Sequence, residues 1–235
     1  MTIQSDVYTI ILLTIVLSVA IILISKKIQK TNPLEKPKGI ILPVLIGVEM
    51  VHRNVTSNVG KDTADKLTPY IIVLWVYIFL CNIAGLFGLA SPTANLSVTL
   101  LLAFITWVLI QITEFKYSGV KAWFHAFLEP LPVMLPMNII GKFSTMASMS
   151  LRLFGNILCG GIMMQLIYSA TQALSNKIAG ALFKTENVFN FVAPVIAPLL
   201  HAYFDVFAGF IQTLVFCTLT MVLIGNDMPE EIKKF

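Results

Sequence analysis

From residue 137 to residue 173 the chain runs for 37 residues without a proline, mostly apolar, with an arginine, Arg152, near the middle. At about 1.5 Å per residue a continuous helix of that length would reach roughly 55 Å, nearly twice the ~30 Å hydrocarbon core of a bilayer. In lipid every backbone polar group must be satisfied within the segment, so an apolar run of this kind is helical. Being too long for an upright span, it must tilt, lie partly along the surface, or break.

Composition points the same way. Of 235 residues, 57% are hydrophobic and only 12% charged, with a mean hydropathy of +0.85, where soluble domains carry about 25% charged residues. The net charge of +4 is spread over Lys and Arg residues flanking apolar runs, where they report orientation. No basic stripe interleaved with aromatics is present, which excludes nucleic-acid binding of the single-strand type. Cys81, Cys159 and Cys217 are odd in number and lie inside apolar runs, so they are expected to be small buried core residues, neither disulfides nor metal ligands. No segment is long enough for a separate soluble domain, and residues 1–235 are expected to form a single membrane domain.

The first span is 7–25, preceded by Asp6 and followed by Lys26, Lys27 and Lys30. That polarity is opposite to a signal peptide and sets the N-terminus outside. The link 32–39 carries PLEKPKG and belongs at the cytoplasmic surface, followed by 40–59, whose Glu49, His52, Arg53 and Asn54 make it an interfacial amphipathic helix. A charged turn, 60–68, leads into a helix hairpin over 69–113, with Asn82 at depth and the turn SPTAN at its outer tip. The stretch 122–136, WFHAFLEPLPVMLP after its first residue, is an amphipathic return. A polar outer loop at 177–187 separates the first overlong stretch from the second, 188–224, whose Pro194 and Pro198 can set a kink. The tail 226–235 is cytoplasmic. The expected fold is therefore an all-α integral membrane protein with five crossings, one interfacial helix, and two long tilted C-terminal helices (137–224) forming a hairpin.

A charge at bilayer depth costs about 2.5–3.5 kcal/mol on insertion scales and marks function, and arginine is a cation that burial does not neutralise. Ser148, Arg152 and Asn156 recur every four residues and share a face continued by Cys159. Gly155, Gly160 and Gly161 remove side chains nearby, permitting either close helix packing or space for water. On the second long helix His201, Asp205 and Gln212 fall four and seven residues apart. An Arg152–Asp205 salt bridge is one reading. Antiparallel chain direction argues against it, setting Gln212 at the level of Arg152 and Asn156 and Asp205 nearer Gly161. Arg152 is then left for a carboxylate of another chain, and Asp205 marks a wetter path to the outside. His201 is either helix packing or a proton-accessible group at the outer mouth. His52 and His125 are expected at the surface; Glu114 and Glu129 are interfacial anchors or borders of an inner path.

These residues also carry a resemblance. MSLRLFGN (149–156), followed by ILCGGIMM, resembles the essential-arginine motif of subunit a of rotary F-type ATP synthases. FDVFAGFIQTLVFCTLTMVLI (204–224) is similar to that family's last helix with its glutamine, and NIAGLFGLASPTANLSVTL (82–100) looks like its helix hairpin. The resemblance implies an ion-translocating stator subunit, not catalytic alone, that offers two offset half-channels to the carboxylates of a ring of subunit c. Arg152 would be the essential charge separating them, Asn156 and Gln212 its polar companions, Ser148 a neighbour on the same face, and Asp205 with His201 the outer path. It implies an ion, with protons favoured and sodium the alternative, no cofactor or metal, and as partners the c-ring, peripheral-stalk subunit b, the F1 sector indirectly, and lipid. It also implies a bacterial inner membrane, N-terminus outside and C-terminus cytoplasmic. Family members carry an ionisable pair further out, one residue per long helix; here Gly161 takes the first position and Asp205 the second. Acids that many bacterial relatives carry on the inner side are replaced by Gly141 and Lys142. The alternative is a secondary transporter in which Arg152 binds an anionic substrate; such proteins often show internal repeats, and none is visible. A structural scaffold would need neither Arg152 nor Asp205 at depth.

Overall fold

The computed structural model describes residues 5–30, 39, 41–128, 132–183, 189–226 and 228, and among these there is no strand. Helices run in the order α1 (Ser5–Gln29), α2 (Ile41–Val59), α3 (Lys61–Ile83), α4 (Leu96–Leu128), α5 (Leu135–Phe183), α6 (Ala193–His201) and α7 (Ala208–Asn226). Among the described residues five stretches are long and apolar enough to cross a membrane: Asp6–Gln29, Thr63–Phe87, Leu96–Tyr117, Pro132–Ala181 and Ala193–Asn226. The protein is an all-α membrane protein.

Backbone freedom at two glycines decides boundaries that composition does not reveal. The turn expected over 60–68 is reduced to Gly60 at φ 79°, and α3 begins at the next residue. Gly119, at φ 79° and ψ 161°, breaks α4, so the amphipathic return starts there and 120–128 continues as helix. Residues 177–183 of the loop expected at 177–187 are helical instead, because α5 runs unbroken to Phe183. Buried Ala179 and Ser175 hold that last part against the chain, while Lys177 is exposed. With 49 residues, α5 is the longest element, about 73 Å by helical rise. Pro194 sits in the first turn of α6, where a missing N–H is tolerated, and Pro198 lies inside it. Beyond them the chain does not break. It widens into a π-turn over Ala202–Phe207 and continues as α7.

The core forms where α2, α3, α4, α5 and α7 meet, around Val55, Ile71, Ile78, Leu153, Phe216 and Ile224. At Gly225 of α7 a side chain would come within 2.5 Å of the Asn58 carbonyl oxygen, so the glycine sets how closely α7 approaches α2. Hydroxyl pairs stitch the bundle at depth: Tyr70 with Thr106 at 3.0 Å and Thr99 with Ser150 at 3.2 Å. Such pairs are the usual polar adhesive between helices in lipid. His52, expected at the surface, is half-buried and bonds Thr68 at 3.0 Å. His125 is exposed. α1 is held loosely, through buried Thr9 and Leu13. Asn95 donates to Asp6 at 3.2 Å, which brings the start of α1 and the α3–α4 turn to the same side.

Candidate functional site

α5 presents Arg152 on an open face shared with Leu151, Leu158 and Cys159, all exposed. Cys159 is thus not the buried core residue expected from its apolar surroundings, whereas Cys81 and Cys217 are buried, and all three are free thiols. Among the described residues no carboxylate lies within 4.0 Å of the Arg152 guanidinium. A hollow of about 270 Å³ opens beside it, lined by Ser144, Thr145, Ser148, Met149 and Arg152 of α5 and by Leu219 and Leu223 of α7. Ser144, Thr145 and Ser148 precede Arg152 on α5, so the hollow extends from the arginine toward the N-terminal end of that helix.

Asn156 and Gln212 both bury a side-chain amide nitrogen that has no hydrogen-bond partner among the described residues. Gln212 is only 9% exposed. A buried donor without a partner costs about 1–3 kcal/mol, and in a native structure it signals water, an ion or another molecule at that point.

Two contacts fix the register of the C-terminal segments. Gly160 faces Phe204, with 3.7 Å available to a Cβ, and Tyr168 bonds His201 at 3.0 Å. Antiparallel packing in that register sets Gln212 level with the turns between Arg152 and Cys159. Asp205 lies two to three helical turns farther along, beside residues 160–164. Of the two glycines, Gly160 serves packing, while Gly161 has no atom within 4 Å of where a side chain would begin.

The Arg152–Asp205 salt bridge is absent. Asp205 instead binds His201, with Oδ2 at 2.6 Å from Nδ1, and the other ring nitrogen, Nε2, faces the Tyr168 hydroxyl at 3.0 Å. The π-turn carries Asp205, and its closing bond runs from the Ala208 N–H to the Tyr203 carbonyl, five residues back. Such turns are frequent at functional positions. Tyr168 was not among the expected site residues. The available signal was that it lies seven residues, two turns, beyond Gly161 and so on the same side of α5.

Asn82 was expected merely at depth. It is 2% exposed and bonds across three elements: Nδ2 donates to the Gly209 carbonyl at 3.2 Å and to Thr213 Oγ1 at 3.3 Å, and Oδ1 accepts from Thr93 at 3.1 Å. On the opposite flank Glu114 is buried and pairs with Lys142, whose carbonyl accepts from the Trp107 indole at 3.0 Å and whose ammonium lies 5.8 Å from the centre of the Trp123 ring. The interfacial acid is therefore matched by the lysine at the position where an acid was expected. Glu129, residues 32–38 of the link, residue 227 and the tail beyond 228 lie outside the described residues. Among the described residues no cluster of His, Cys, Asp and Glu is fit to hold a metal ion.

Residues 7–225 match the family described as ATP synthase A chain. The chain is 31% identical over 205 residues to ATP synthase subunit a of Mycoplasmoides gallisepticum, covering 83% of this chain and 68% of that one. It is 31% identical over 194 residues to ATP synthase subunit a of Bacillus subtilis, covering 78% and 77%. To the sodium-ion-specific ATP synthase subunit a of Propionigenium modestum it is 32% identical over 182 residues, covering 70% and 55%.

Proposed function

The chain belongs to the ATP synthase A chain family, non-catalytic membrane subunits of the rotary enzyme, and from that premise we propose that it guides protons through two offset half-channels separated by Arg152. The observation that carries this reading is Arg152 itself: exposed, without an acid partner among the described residues, beside a hollow partly lined by Ser144, Thr145 and Ser148 on one side and two to three turns from the Asp205 cluster on the other.

The outer path passes His201 and Asp205 and delivers a proton to a carboxylate of the c-ring. Neutral, that carboxylate can face lipid, where an ionised one would be prohibitively costly. After nearly a full turn it meets Arg152 from the other side. There the fixed positive charge favours the ionised form, and the proton leaves by the hollow lined with Ser144, Thr145 and Ser148. Asn156 and Gln212, whose donors find no partner among the described residues, orient water or the arriving carboxylate. Arg152 also repels cations that would pass straight between the two paths.

The N-terminus and the α3–α4 turn face outside in this reading, supported by the Asp6–Asn95 bond and by Lys26 and Lys27 at the other end of α1. Partners are the c-ring on the Arg152 face, subunit b, and the F1 sector through them, in a bacterial plasma membrane. Family membership removes the secondary-transporter alternative. Arg152→Ala in the whole complex is expected to assemble yet abolish ATP-driven acidification of inverted vesicles; acidification at the wild-type rate would overturn the reading.

A further inference from the structure

We propose that Tyr168, His201 and Asp205 form a three-membered proton relay, in which Tyr168 supplies from α5 the partner that Gly161 cannot, and which carries protons but not sodium ions. The relay rests on reading the Asp205 side as the outer path.

A carboxylate only accepts hydrogen bonds, so the 2.6 Å contact with Asp205 Oδ2 assigns the Nδ1 proton to His201. The other ring nitrogen then holds a lone pair, and the Tyr168 hydroxyl, 3.0 Å away, donates into it. Both donors consequently point the same way, from Tyr168 toward Asp205. A proton arriving from outer water forms a new O–H bond at the Tyr168 oxygen while the phenol's own proton passes to Nε2. The Nδ1 proton then passes to Oδ2. One proton has left the water, Asp205 has become a neutral acid, and tyrosine and histidine are again uncharged. Once Asp205 has passed its proton on, His201 returns to the starting tautomer by exchange with water, which takes the proton from Nε2 and gives one to Nδ1, with no net proton gained or lost.

Sodium finds no comparable footing. A hard cation takes several oxygen ligands in exchange for its water, whereas here Oδ2 is occupied by an N–H and the imidazole lone pair by an O–H. Among the described residues no further acid completes a cation site there. Gly160 packs against Phe204 of the π-turn, which would lie 3.7 Å from a Cβ there, and the Tyr168–His201 bond spans the same gap.

The test uses inverted vesicles carrying the whole complex. Tyr168→Phe keeps the ring against His201 and removes only the hydroxyl. It is expected to slow ATP-driven acidification by about tenfold or more, as loss of a positioned proton carrier does, with assembly intact and with a larger slowing in heavy water than the wild type shows. His201→Gln should act alike, and Tyr168→His, which restores a proton-carrying ring, should recover much of the rate. Wild-type vesicles should acidify equally with and without sodium and accumulate no radioactive sodium. Unchanged acidification in Tyr168→Phe and His201→Gln, or no recovery in Tyr168→His, overturns the relay while Arg152→Ala remains blocked; sodium uptake by the wild type overturns the exclusion. Pumping by Arg152→Ala overturns the parent reading instead.

Discussion

The buried Asn82 amide donates to the Gly209 carbonyl at 3.2 Å and accepts from Thr93 at 3.1 Å, so one side chain ties α3 and the α3–α4 turn to the start of α7. Gly209 permits this because a Cβ there would meet that of Asn82 at 3.1 Å. Gln212 stands three residues farther along the helix thus anchored. Asn82→Leu is expected to cost about 1–2 kcal/mol, near the upper range for polar contacts between membrane helices, in unfolding of the detergent-solubilised subunit by SDS. Pumping should fall with it as Gln212 loses its placement. An unfolding midpoint equal to that of the wild type would show that the clamp contributes nothing.

Gly225 offers a sharper steric test. A Cβ there would lie 2.5 Å from the Asn58 carbonyl oxygen, and backbone atoms cannot swing aside as a side-chain tip can. Gly225→Ala should therefore destabilise by about 1–3 kcal/mol. Gly161→Ala, with open space around it, should remain within about 0.5 kcal/mol of the wild type. The two variants compared in the same unfolding assay separate close packing from general helix effects, since both gain the same methyl group; equal shifts would refute the close approach of α2 and α7.

Arg152→Lys retains the positive charge but not the planar fork of donors. If charge alone mattered, pumping would persist. In the reading offered above, the guanidinium must meet a carboxylate that moves past it, so ATP-driven acidification is expected to drop by about tenfold or more, a barrier change of roughly 1.4 kcal/mol. Rates matching the wild type at several ionic strengths would argue for a simple electrostatic plug.

Length and apolar content were enough to read the five spans, because a bilayer sets a minimum run and tolerates few charges inside it. The face carrying Ser148, Arg152 and Asn156 was also legible, being a matter of spacing within one helix. What escaped depended on contacts between segments. Tyr168 meets His201 only through the register of α5 against α6, which no local pattern encodes. Cys159 looked buried because its neighbours are apolar, yet it lies on the open face beside Leu158. The reduced turn at Gly60 and the break at Gly119 follow from positive φ angles, which a glycine allows but does not announce.

The Glu114–Lys142 pair makes the last test, because the two partners differ in burial: the Glu114 side chain is 8% exposed and that of Lys142 23%. Removing one member strands the other charge, while removing both costs little, since a desolvated pair barely repays its own dehydration. Glu114→Gln should cost about 1–3 kcal/mol, and Lys142→Met somewhat more, because the carboxylate it strands is the more deeply buried of the two. The double variant is expected within about 1 kcal/mol of the wild type, giving a coupling far from additive. SDS unfolding of the four proteins measures it directly. Additive losses would mean that each side chain stabilises the α4–α5 contact by packing, the lysine through the Trp123 ring, and that the charges do not act as a pair.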